Sequence, residues 1–160
     1  MKLEHLTHPA APWLHALLAP PNDAAEAMRR LERTRGVVAR VVRGVKSLTK
    51  GALFDEMSAA LQFPPHWGEN WDALRDCLAD PVWFDERPLV ICFIDGTQIL
   101  EASGADQRRD LLTVLRDVAE LRNEPGKGKS PRPFHVVWQA DARHEAELER
   151  HWPGLGRIQH

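Results

Sequence analysis

The hydrophobic and polar positions of this chain fall into alternating helical and strand-like blocks. In NDAAEAMRRLERTRG, residues 22–36, Ala, Met and Leu recur at helical spacing; Asn22 or Asp23 is placed to cap the helix and Gly36 to stop it. VVARVVRGV follows, and its β-branched residues predict a strand over residues 37–43. Thr49 can cap the next helix, in which Leu53, Met57, Ala60 and Leu61 repeat at helical intervals until Phe63-Pro64-Pro65 stops it. A short helix over residues 71–79 follows a Gly-Glu-Asn turn. RPLVICFIDG is a continuous apolar run, the pattern of a strand buried on both faces. ADQRRDLLTVLRDVAELRNEPG carries the widest apolar helical face, with Leu111, Leu112, Leu115, Val118, Ala119 and Leu121. FHVVWQ reads as a third strand and DARHEAELERHW as a charged terminal helix. The proline-rich first 21 residues read as irregular, with one helical turn around WLHALL.

Strands separated by helices favour a parallel sheet built from right-handed crossovers. The expected fold class is therefore α/β, a small three-stranded parallel sheet packed with helices, with an extra N-terminal helical segment. Its expected divisions are an N-terminal extension over residues 1–35, a central domain over 36–140, and a C-terminal helix and tail over 141–160.

Composition narrows the class. At 160 residues, 43% hydrophobic and 28% charged, the chain can build one ordinary core. No run approaches the ~18 apolar residues of a spanning helix, and prolines, histidines and Glu4 interrupt any signal-peptide pattern. A cytoplasmic location is expected. Cys77 and Cys92 lack zinc spacing and are too few for a disulfide framework, so both read as reduced, buried thiols. Net charge is only −2, but residues 21–50 hold eight Lys/Arg against three Asp/Glu, and residues 51–100 two against nine. An acidic surface of that kind repels nucleic acid and attracts cationic partners.

The acidity concentrates in HWGENWDALRDCLAD, residues 66–80. Asn70 can cap the helix and Asp72 lies in its first turn, where the dipole favours a carboxylate. At about 100° per residue, Trp71, Leu74 and Leu78 share one side, with Cys77 at its edge, and Asp72, Asp76 and Asp80 share the other. Arg75 stands beside Asp72. Such a face is ordinarily a solvated one. Here Trp67 and Trp83 flank it beside a rigid turn, a combination that suits protein binding.

GENWDALRDCL, together with the strand and helix patterns on either side, resembles the signature helix of the barstar family, intracellular protein inhibitors of barnase-type ribonucleases. The resemblance runs over residues 37–139. It implies a protein that binds a basic ribonuclease or related toxin and blocks its cationic phosphate site. In that reading Asp76 enters the phosphate site, Asp72 is the first acid of the motif, Asp117 is a further acid on the long helix, and His66 and Trp67 cover the rest of the partner's site. The implied partner-binding set is His66, Trp67, Gly68, Glu69, Asn70, Asp72, Arg75, Asp76, Asp80, Trp83 and Asp117. His66 and Arg75 depart from the family pattern and imply a target other than barnase.

Other chemistry finds less support. His5 and His8 are spaced i,i+3 but lie in a proline-rich terminus, so no metal is expected. His66 beside Glu69 and Asp72 has no accompanying nucleophile, and His135 alternates with apolar strand residues as a structural histidine does. GKGKSPRP lacks the spacing of a phosphate loop. The expectation is a non-enzyme without cofactor, monomeric when free, contacting neither nucleic acid nor membrane. A barstar-like binding or regulatory module without a nuclease target is the alternative, and an acid–base enzyme a more distant one.

Overall fold

The computed structural model describes residues 1–82 and 87–159. Five α-helices and five strands occur among them: β1 (Leu14–Leu18), α1 (Pro21–Arg35), β2 (Val38–Arg43), α2 (Lys50–Leu61), α3 (Trp71–Ala79), β3 (Leu89–Ile94), α4 (Ala105–Asn123), β4 (Phe134–Ala140), α5 (Glu145–His151) and β5 (Gly156–Arg157). All strand pairs are parallel, in the order β2-β3-β4-β1-β5. None of the described helices is long and apolar enough to cross a membrane.

The sheet has five strands rather than the expected three. WLHALL supplies β1 instead of a helical turn, and the tail supplies β5. LHALL contains no β-branched residue, so local propensity hides it. Its place is decided by pairing with β4, from Leu14 opposite Val136 to Leu18 opposite Ala140, which buries four of its five residues. Pro20 in turn biases Ala19, just past the strand, away from helical conformation.

Alternation along the strands builds two cores. Leu89, Ile91 and Phe93 of β3 join Phe134, Val136 and Trp138 of β4 on the face covered by α2, α3, α4 and α5. Val90, Cys92 and Val137 face the other way, onto Leu17, Met28 and Leu31. The N-terminal residues thus provide both a strand and α1, the helix that covers the second face.

Helix ends follow their local chemistry with one exception. Thr49 Oγ1 accepts from the Ala52 N–H at 3.2 Å, and Gly36 ends α1 at φ +66°. Neither Asn22 nor Asp23 caps α1. The helix begins at Pro21, whose fixed φ and missing N–H suit the first position, and the N–H groups of Asp23 and Ala24 donate to the Pro20 carbonyl.

Candidate protein-binding surface

The turn before α3 is anchored by aromatic packing. Trp67 meets Phe54 edge-on at 5.2 Å and Phe63 at 5.1 Å, and Trp71 meets Phe54 at 5.0 Å. Both tryptophans are half-buried, so they fasten the surface to the core as well as edging it. Asn70 organises the turn. Its Oδ1 accepts from the Ala73 N–H at 2.8 Å and its Nδ2 donates to the Gly68 carbonyl at 3.2 Å. A Cβ on Gly68 would come within 3.1 Å of Ala73 Cβ, a tight contact that would press on the first turn of α3. His66 and Glu69 project into solvent, Glu69 with φ +49°.

Along α3, Leu74 and Leu78 are fully buried and Asp72, Asp76 and Asp80 are exposed. Arg75 is the centre of the acidic face. Its guanidinium lies 3.6 Å from Asp72, 3.8 Å from Asp76 and 4.0 Å from Asp117 of α4. These are ion pairs beyond hydrogen-bond length, and Asp72 and Asp76 keep 85% and 77% of their side chains exposed. Such pairs stabilise little and leave the acids open to a partner. Asp80 is otherwise engaged, its Oδ1 accepting from the Val82 N–H at 2.8 Å where α3 ends. Trp83 lies outside the described residues. The structure therefore brings Asp72, Arg75, Asp76 and Asp117 together, sets His66, Trp67, Gly68, Glu69 and Asn70 at the adjoining turn, and leaves Asp80 at the far end. Between α3 and α4 a shallow hollow of about 490 Å³ is lined by Arg75, Asp117, Glu120, Leu121 and Glu124, with Leu121 half-exposed.

Two arginines that charge pattern passed over hold this helix in place. Fully buried Arg122 donates to the Leu78 carbonyl at 3.2 Å, and Arg132 to the Ala79 carbonyl at 2.8 Å. Cations on the last carbonyls offset the negative end of the α3 dipole. The signal was present: Arg122 continues the buried register of Leu115, Val118 and Ala119. Trp71 Nε1 donates to Gln107 of α4 at 3.2 Å, a pairing with no mark in the sequence.

The cysteines are both free. Burial pushes the Cys92 thiol up to about 12. Cys77 is half-buried rather than buried; desolvation, then Asp76 and Asp80, raise its thiol. Among the described residues no group of three His, Cys, Asp or Glu is arranged to hold a metal.

The family model described as Barstar (barnase inhibitor) matches residues 37–139. The chain belongs to the barstar family. Membership points to protein–protein binding in general. No curated protein matches the chain in sequence. Among solved structures, the ORC2 protein of Aeropyrum pernix, solved in its ADP form, is 13% identical with a TM-score of 0.64, over 98% of this chain and 44% of that one. Cdc6p of Pyrobaculum aerophilum is 14% identical with a TM-score of 0.57, over 96% of this chain and 41% of that one. This chain spans less than half the length of those proteins, and at such identity the likeness is one of fold.

Those neighbours overturn the nuclease-inhibitor reading that the family resemblance implied. Nearly the whole fold, including the strand and helix that lie outside the barstar match, recurs in proteins described as ORC2 and Cdc6p, so this architecture does not single out an inhibitor. The charge argument weakens with it. The acids expected to imitate phosphates are gathered round the protein's own Arg75, which answers part of their charge.

Proposed function

We propose that this barstar domain is a stoichiometric protein-binding module, whose docking surface is the turn over residues 65–70, the outer face of α3 and the adjoining side of α4. The arrangement of Asp72, Asp76 and Asp117 about Arg75 carries this reading: an organised, exposed constellation mounted on a rigid, core-anchored helix. A fitting partner is a protein that offers cations to Asp72 and Asp76 and an acceptor to Arg75. The mixed signs set register, because a wholly cationic patch would meet Arg75 unfavourably. The binding is of protein, not of nucleic acid or membrane, and without turnover. The ADP named for the Aeropyrum pernix protein is not part of this reading, since a likeness of fold does not bring it here.

The test uses the full chain as bait in lysate of the source cell, beside Asp76→Ala and the remote control Glu149→Gln. The captured protein is then purified and its affinity measured by calorimetry at rising salt. Asp76→Ala should fold normally, weaken binding at least tenfold and flatten its salt dependence, while Glu149→Gln binds as wild type. Equal affinity of all three baits would place the docking surface elsewhere.

A further inference from the structure

In parallel sheets, ligands settle outside the carboxyl ends of the strands, where neighbouring strands send their crossovers to opposite faces. Here that point lies between β1 and β4. β1 continues into α1 on one face of the sheet, and β4 into α5 on the other. A phosphorylated ligand at such a point needs an open crevice, free N–H groups at the following helix start, and a flexible glycine-rich approach.

The open crevice and the glycine-rich approach are both replaced by other structure, and the helix start offers little to an anion. The crevice is zipped shut, because the Ala19 N–H donates to the Ala140 carbonyl at 3.1 Å beyond the end of β1. Over it lies the fully buried side chain of Gln139. Its Nε2 donates to the Ala19 carbonyl and its Oε1 accepts from the Asp95 N–H, both at 2.7 Å. The approach is Ala19-Pro20-Pro21, with no glycine and two residues that lack an N–H. Of the four N–H positions a helix start leaves open, Pro20 and Pro21 have none and that of Asp23 donates to the Pro20 carbonyl, while the Asp23 carboxylate occupies the first turn, where it repels an anion. No lysine or arginine lies between His15 and Met28.

We infer that the switch point of this sheet is a sealed joint that admits no phosphorylated nucleotide, and that Gln139 is the residue that seals it by bridging the ends of β1 and β3. Partner binding at α3 is then not gated by a nucleotide at this point. Gln139 also welds the N-terminal strand and helix to the rest of the sheet, and it holds Asp95 in its left-handed conformation, φ +54°.

The full chain is titrated with fluorescent N-methylanthraniloyl ADP and ATP in the presence of magnesium, and melted with and without millimolar unlabelled nucleotide. No saturable signal and no shift in Tm are expected. A saturable signal, or a Tm raised by several degrees, would overturn the seal. In parallel, Gln139→Ala is melted and its amide exchange followed. The loss of two buried hydrogen bonds should lower Tm by about 5–10 °C and speed exchange at Asp95. A variant melting with the wild type, its Asp95 amide equally protected, would remove Gln139 from this role.

Discussion

The Arg122 guanidinium donates to the Leu78 carbonyl at 3.2 Å, joining the end of α4 to the last turn of the acidic helix. The same side chain reaches the Arg87 carbonyl at 3.3 Å and lies 5.9 Å over the Phe134 ring. One buried cation thus ties three segments beneath the proposed docking surface. Its neighbour Asn123 clamps the Phe134 backbone through both amide atoms at 3.0 Å, so the end of α4 also sets where β4 begins.

Replacing Arg122 by methionine keeps much of the apolar stem but leaves buried carbonyls without a donor. The expected cost is about 2–4 kcal/mol of unfolding free energy, measured by urea denaturation. Partner affinity should fall as well, because α3 loses its restraint. A variant as stable as wild type would show that water satisfies those carbonyls.

Histidines predict the response to acid. His135 Nε2 lies 2.7 Å from the His8 carbonyl, which can only accept, so this nitrogen carries the proton. In the neutral ring Nδ1 is then an acceptor, and His15 Nε2–H donates to it at 2.9 Å. Desolvation first, and then the charges of His135 and His5, lower His15 to about 3. Desolvation also dominates at His135 and lowers it to about 4, against a hydrogen bond to His8 that works the other way. Both folded values lie below the unfolded value near 6.5, so their contribution is whole above that pH and is lost as pH falls through 6 towards 3. Each ring contributes a slope of up to about 1.4 kcal/mol per pH unit in that window. Urea midpoints taken from pH 7 to pH 4 should fall steeply for wild type and less so for His15→Gln. Parallel curves would deny the pair this role.

The β2 edge is guarded by side chains. The Ala39 N–H donates to Glu32 Oε1 at 3.2 Å, its carbonyl accepts from Arg40 at 3.0 Å, and Arg40 pairs with Glu32 at 2.5 Å. Side chains that occupy edge backbone groups hinder pairing with another strand at that point. Glu32→Ala should leave the monomer folded and raise self-association, read as a concentration-dependent rise in sedimentation coefficient. No change in association would show that the edge is protected by other means.

Much of this was legible along the chain. The helical periods of α1, α2 and α4, the apolar run of β3, and the caps Thr49, Asn70 and Gly36 are local signals, and they appear where the pattern placed them. The family motif was equally local, a contiguous run from Gly68 to Leu78. What the pattern missed depended on distant partners. LHALL is a strand because β4 offers it an edge, and the first residue of α1 was settled by Pro21 rather than by the side chains that usually cap. Arg75 looked like an isolated cation among acids until α4 brought Asp117 beside it.

The sequence by itself determined an α/β protein of the barstar family, with an acidic, aromatic-flanked helix turned outward, because amphipathic period, capping and turn chemistry act over a few residues. Only the tertiary structure decided that the sheet has five strands, that the N-terminal residues form its second cover, and that Gln139 closes its switch point. Each of these joins residues far apart in the chain, and backbone pairing and buried hydrogen bonds over such separations leave no periodic mark in the residues that make them.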